Sequence, residues 1–259
     1  MLHTRLLTAA VLLALFLAAL FRLPATAWTL VLLPVLWLGA CEWAQLAGLS
    51  RRAGWLYASV MSAAGLLIHF AAPQAAAPLQ AGALVFWLLV APVWLARGWT
   101  LRGAALAAVG VLVLLATWLA LARLQSTAAA LLACLGIVWI ADTCAYLAGR
   151  RWGRRKLAPG ISPGKSWEGV AGAAIAVVVY YLVLQWVWAT PPPALRGMFG
   201  AGVVLLLFVL SIEGDLFESW LKRRAGLKDS GTLLPGHGGV LDRIDGLLAT
   251  LPAVALLLG

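Results

Sequence analysis

The sequence predicts an all-α membrane protein: a polytopic helical bundle of about nine transmembrane helices with its N-terminus in the cytoplasm. Three observations carry that prediction. Of the 259 residues, 64% are hydrophobic, whereas soluble domains sit near half. The 11% that are charged bunch into short segments between apolar runs, as they must if the spacers lie in hydrocarbon. The 19 Lys and Arg residues also divide unevenly once the runs are assigned alternately to two sides of a membrane.

The first run, LLTAAVLLALFLAALF, lies between Arg5 and Arg22 and is followed by Pro-Ala-Thr-Ala. That layout also fits a signal peptide with a small-residue cleavage site. An uncleaved first span is preferred, because the remaining spans take a consistent orientation only from a cytoplasmic start. Further apolar stretches fall at about 25–46, 53–71, 79–96, 103–123, 127–149, 166–189, 195–222 and 237–258. Each is long enough, or nearly so, to cross ~30 Å of hydrocarbon. Pro24, Pro73, Pro78 and Pro191 to Pro193 mark turns. Pro34 and Pro92 fall inside spans, where they kink a helix rather than end it. One integral membrane domain over 1–259 is expected, with N-terminal spans in 1–125 and catalytic spans and cytoplasmic loops in 126–259.

With the N-terminus inside, Arg22, Arg123 and Arg196 are the only basic residues on the far side, and the other 16 of the 19 face the cytoplasm. Such an excess sets orientation. The net charge of +10 is therefore explained by topology, and no nucleic-acid partner is expected. Trp28, Trp99, Trp152, Trp167, Trp188 and Trp220 lie near span ends and read as interfacial anchors. Cys41, Cys134 and Cys144 are isolated in apolar runs and read as packing residues. Glu42 is the one acid of the N-terminal half, close to Arg51, and reads as half of a structural ion pair.

The stretch from Ser211 to Gly246 breaks the apolar pattern, holding six of the nine acidic residues: Glu213, Asp215, Glu218, Asp229, Asp242 and Asp245. On a helix Asp215, Ser219 and Lys222 share one face, at i, i+4 and i+7. The Gly236-His237-Gly238-Gly239 segment favours a loop that lets backbone approach a ligand. Beyond it, Asp242 and Asp245 are spaced i, i+3 on a second helix. Carboxylates on two helix ends, joined by a Lys- and Gly-rich loop, suit a hard divalent cation and a polyphosphate.

Asp142 lies within a span, about two turns before the basic cluster that starts at Arg150. An ionisable residue at that depth is a functional candidate, since an unpaired charge there is costly; the alternative is a structural pair with Arg150 or Arg243. Asp142, Tyr146 and Gly149 share a helix face. Downstream, Ser162-Pro-Gly164-Lys165-Ser166-Trp-Glu168-Gly169 ends as a helix begins, so its N–H groups and Lys165 can cradle phosphate. It is not a P-loop, because no strand and no GxxxxGK[ST] pattern precede it. The Arg150 to Lys156 cluster reads mainly as an anchor to anionic lipid.

Two of these segments resemble signatures of the phosphatidate cytidylyltransferases, the CDP-diacylglycerol synthases. Ser219-Trp-Leu-Lys222-Arg223, Lys228-Asp229-Ser-Gly231 and Leu234-Pro-Gly-His237-Gly238-Gly239-Val-Leu-Asp242-Arg243-Ile-Asp245 match one signature without departure over a fixed span of ~27 residues, far more specific than a lone glycine motif. The Ser162 to Gly169 segment is similar to a second, with Gly164 standing where many members carry Lys. The resemblance covers Asp142 through Asp245, and the earlier spans match only in being apolar.

What the resemblance implies is a nucleotidyltransferase that makes CDP-diacylglycerol and pyrophosphate from CTP and phosphatidate. On that basis Asp215 and Asp242 are expected as the main Mg²⁺ carboxylates, with Asp245 and Asp142 in support and room for a second cation such as K⁺. Lys222 is expected among the catalytic residues. Lys165, Ser166, Ser219, Arg223, Lys228, His237, Gly238, Gly239 and Arg243 are expected around the phosphates. His237 is read as a hydrogen-bonding side chain rather than a metal ligand. The implied partners are CTP, phosphatidate and membrane lipid, with a homodimer allowed. The implied location is a bacterial inner membrane, with the site facing the cytoplasm. Two rival readings use the same charges: a transporter or flippase with buried acids, and a CTP-dependent prenyl-lipid transferase or polyprenol kinase.

Overall fold

Where no water satisfies backbone N–H and C=O groups, apolar runs must close their hydrogen bonds within helices, and the breaks fall at proline, glycine and charged turns. The computed structural model describes residues 2–231 and 238–259. In order come α1 (Leu2–Arg22), α2 (Ala25–Leu46) and α3 (Arg51–Ala71). A helical path from Pro73 to Arg97 then contains α4 (Ala76–Val85), a π-helical turn (Phe86–Val90) and α5 (Ala91–Arg97). Next are α6 (Gly103–Arg123), α7 (Ala128–Trp152), a hairpin of β1 (Lys156–Ala158) and β2 (Ser162–Ser166), α8 (Trp167–Val187), α9 (Gly197–Arg224) and α10 (Leu241–Leu258).

Among the described residues six helical stretches are long and apolar enough to cross a membrane: 25–46, 51–71, 73–97, 103–152, 167–187 and 197–224. The fourth has 50 residues, roughly 75 Å of helix, but a 3₁₀ turn at Leu124–Thr127 divides it into α6 and α7. The chain is thus a multi-pass, all-α membrane protein apart from one short hairpin. α1 docks on the bundle: Leu20 is buried, Phe16 packs edge-on against Trp28 and Trp139, and Gln125 Nε2 donates to the Leu23 carbonyl at 2.8 Å.

The helical path runs on through Pro92, with a change of winding ahead of it: the Ala91 N–H reaches back five residues to the Phe86 carbonyl, opening the turn just before the residue that has no N–H to give. Two expectations need correction. Trp28 and Trp220 are buried rather than interfacial. Trp28 Nε1 donates to the Leu121 carbonyl at 3.0 Å and Trp220 Nε1 to the Trp99 carbonyl at 3.2 Å, so each ties separate elements together. Trp99, Trp152 and Trp167 are exposed. Glu42 makes no pair with Arg51, whose guanidinium stacks over Trp55 at 4.8 Å; the carboxylate serves the backbone near α10 instead. The three cysteines are free thiols.

Two packing features aim the polar residues. Phe217 on α9 meets Phe86, Trp87 and Trp94 edge-on at 5.3–5.5 Å. At 100° per residue, Asp215 then points to nearly the opposite face of α9. Between those two directions α9 crosses α10 closely, because Gly214 has no side chain: a Cβ there would run into the Asp245 carbonyl oxygen. α10 also packs on α6, α4 and α7, so the C-terminal helix lies among the N-terminal ones.

Candidate active site

The β1–β2 hairpin lies beside α7, α8 and α9 and walls a cleft of about 580 Å³, within the usual range for small-molecule sites. Ser166 ends β2 and caps α8, its hydroxyl accepting from the Gly169 N–H at 3.1 Å. Glu168 holds the start of the hairpin by accepting from the backbone N–H groups of Arg154 and Arg155 at 3.0 and 3.2 Å. Lys165 is thereby presented to α9, where its Nζ forms an ion pair with Asp215 Oδ2. Ser219, one turn on, donates to Asp215 Oδ1 at 3.3 Å.

Asp142, Lys165, Ser166 and Asp215 all line this cleft. Asp142 and Asp245 lie close enough to Asp215 and Lys165 to feel their charges, while only Asp215 pairs with the ammonium group directly. Arg150 donates to the Tyr146 hydroxyl at 3.3 Å, and no ion pair joins it to Asp142 among the described residues. Arg150, Lys156 and Ser162 add further polar groups to the wall, and Ala141, Ala145, Val170, Ala173 and Ile212 supply an apolar part. Charge at one end and hydrocarbon along the side suit an amphiphile with an anionic head.

A second polar cluster sits one helix turn further along α9. Lys222 Nζ lies 2.5 Å from both Glu218 Oε2 and Asp242 Oδ1. Asp242 Oδ2 accepts from the Gly239 N–H at 2.7 Å and the Ser230 N–H at 2.9 Å. The two acids assigned to a metal from sequence therefore have different surroundings. Asp215 is about 30% exposed and faces the cleft, whereas the Asp242 side chain is 7% exposed and bonded on both oxygens. Among the described residues, no three His, Cys, Asp or Glu side chains gather closely enough to hold a metal ion unaided. A nucleotide-borne Mg²⁺ needs only one or two protein carboxylates, because phosphate oxygens and water complete its shell. Each of the two carboxylates already holds a lysine ammonium, which fits a position built for a cation.

Of the other predicted contacts, Arg223 is exposed and donates to the Ile161 carbonyl at 3.4 Å, tying α9 to the hairpin. Lys228 and Arg243 are exposed. Gly238 and Gly239 precede α10 and approach Asp242, while His237 lies outside the described residues. Sequence reasoning missed Ser230 and Glu42. The one available signal for Glu42 was an acid within an apolar span.

Comparison with known proteins bears on this arrangement. The model of the cytidylyltransferase family matches residues 3–259. A phosphatidate cytidylyltransferase of Pseudomonas aeruginosa is 40% identical over 267 aligned residues, covering 100% of this chain and 97% of that protein. Proteins of the same name from Brucella suis and Bacillus subtilis are 52% and 43% identical over 122 residues, covering 47% of this chain and 42% and 44% of theirs.

Proposed function

The chain belongs to the cytidylyltransferase family, and from that premise we propose that it moves the cytidylyl group of CTP onto phosphatidate. A phosphatidate oxygen bonds to the α-phosphorus of CTP, the bond from that phosphorus to the bridging oxygen breaks, and pyrophosphate leaves with the electron pair. The products are CDP-diacylglycerol and pyrophosphate. The observation that carries this reading is the Asp215–Lys165 pair beside Asp142 in a cleft that sets Arg150 and Lys156 against an apolar part of the wall. Nucleotide phosphates and a lipid tail need that combination together.

Little general-base chemistry is required, because the attacking phosphate monoester is ionised near neutral pH. The protein's task is positioning and charge. Lys165, Lys222, Arg223 and Lys228 receive the phosphates, with Ser166, Ser219, His237, Gly238, Gly239 and Arg243 in secondary contact. Asp215 and Asp242, supported by Asp245 and Asp142, would hold the Mg²⁺ that travels with CTP, and that ion would supply positive charge to offset the triphosphate. Lys165 and Lys222, beside those carboxylates, are placed to receive phosphate oxygens.

In the same reading the chain crosses a bacterial inner membrane nine times from a cytoplasmic N-terminus, and the cleft faces the cytoplasm. The excess of basic residues on that side supports this.

The test is incorporation of labelled CTP into lipid by purified protein supplied with phosphatidate, with and without Mg²⁺. Phosphatidate-dependent product that vanishes on chelation is expected, and no product from folded protein overturns the reading. Asp242→Asn is expected to insert normally and to lose at least about a hundredfold in turnover. Turnover like the wild type removes Asp242 from the metal.

A further inference from the structure

Glu42 lies on α2, 8% exposed, in the half of the chain that carries none of the residues assigned to the reaction. Its carboxylate accepts three hydrogen bonds: Oε1 from the Val240 N–H at 2.8 Å, Oε2 from the Leu241 N–H at 2.8 Å, and Oε2 from the Ser230 hydroxyl at 2.9 Å. The same hydroxyl lies 2.9 Å from Asp242 Oδ2. Having one proton, it bonds one carboxylate at a time. The three amides entering α10, those of Gly239, Val240 and Leu241, are thus all held by carboxylates, one from Asp242 and two from Glu42.

Two glycines are packed against this group. A Cβ at Gly239 would fall 2.5 Å from both Glu42 oxygens, and one at Gly231 would fall 2.6 Å from Oε1. Backbone therefore packs directly on the carboxylate from two sides. Capping a helix alone does not call for this, since a local Ser, Thr or Asp does so for about 1 kcal/mol. A buried carboxylate is costly unless its hydrogen bonds are made. What the distant acid adds is a fixed position for the first turn of α10, and hence for Asp242, relative to α2.

We infer that Glu42 is a positioning residue of the transfer reaction, holding Ser230, the entry to α10 and Asp242 in the geometry that receives the nucleotide. The inference rests on the proposed cytidylyl transfer. Glu42 does not line the cleft; it acts through Asp242 and the backbone. Without it Ser230 and the first turn of α10 are fixed only when CTP binds, so the penalty falls on CTP affinity and not on the lipid.

The experiment is steady-state kinetics of the purified full chain and its variants, with thermal unfolding as the check on folding. Glu42→Gln replaces one acceptor oxygen with an amide that faces a backbone N–H. The expected result is a KM for CTP raised about tenfold or more, with kcat within about threefold and the KM for phosphatidate unchanged. Glu42→Asp, which keeps the charge but shortens the reach, recovers part of the loss. A folded Glu42→Gln protein with the wild-type KM for CTP overturns the inference. So does a loss confined to the folded fraction with both KM values intact. Should Glu42→Gln not fold, Ser230→Ala decides, because it leaves both backbone bonds in place: a KM for CTP raised about threefold supports the inference, and an unchanged one overturns it. Wild-type protein without CTP incorporation takes down the proposed reaction, whereas active wild type with an unaltered variant takes down the role of Glu42 alone.

Discussion

Lys165 and Lys222 are each held by an acid that the proposed reaction gives to a cation, Asp215 for the first and Asp242 for the second. On the proposed reading the ammonium groups occupy the cation's place until substrate arrives, with their stems near the proposed phosphate positions. The two are differently committed. Lys222 answers two buried carboxylates, whereas Lys165 has one ion-pair partner and stands at the cleft wall, its side chain about 23% exposed. Lys165→Ala is accordingly expected to fold normally and to raise the CTP requirement by about tenfold to a hundredfold, the size of a charge-assisted contact; a CTP titration that overlays the wild type removes Lys165 from the phosphate site. The residue types and spacings of this cluster were legible in the sequence, because an i, i+4, i+7 pattern and an acid within an apolar run are visible without coordinates. Its division into two groups was not, since that depends on which lysine comes from a hairpin and which from α9.

At the scale of elements, the apolar runs gave the helices to within a few residues, because in hydrocarbon the helix is nearly the only way to pair a backbone. Elements that depend on distant partners were hidden. The β1–β2 hairpin is too short and polar to carry a strand pattern and is stitched by Glu168 and by Arg223 of α9. α10 starts at Leu241, later than its apolar run, because Glu42 and Asp242 claim the amides before it. The α9–α10 crossing is the joint between the two polar clusters, and it rests on Gly214. Small residues at such crossings let helices pack closely when no hydrophobic drive separates lipid from protein contacts. Gly214→Ala must push the helices apart, at a cost of about 1–3 kcal/mol. A lower unfolding temperature in detergent and a clear loss of turnover are expected. Gly202→Ala, on the same helix with nothing within 4 Å of the added carbon, is expected to leave both unchanged or slightly improve stability. Equal behaviour of the two variants denies the joint its importance.

The whole molecule must bring a water-borne nucleotide and a membrane-borne lipid to one cleft, which requires the hairpin and the α9 end to share the side where CTP is found. The basic residues argue for this arrangement: Arg150 to Lys165 precede α8, Lys222 to Lys228 lie in the last turn of α9 and just beyond it, and the connection between α8 and α9 carries only Arg196 as a basic residue. If α8 and α9 each cross once, Gly160 at the hairpin tip and Thr190 beyond the end of α8 lie on opposite faces. Both are exposed, and a Cβ at Gly160 meets nothing within 4 Å, so cysteine is accommodated at either position. The native thiols at Cys41, Cys134 and Cys144 are free and must first be replaced to give a silent background. In intact spheroplasts a membrane-impermeant maleimide is then expected to label Thr190→Cys at once and to reach Gly160→Cys only after the membrane is opened. Labelling of both positions from outside denies the single crossing of α8. The reverse pattern turns the cleft away from CTP and withdraws the cytoplasmic orientation.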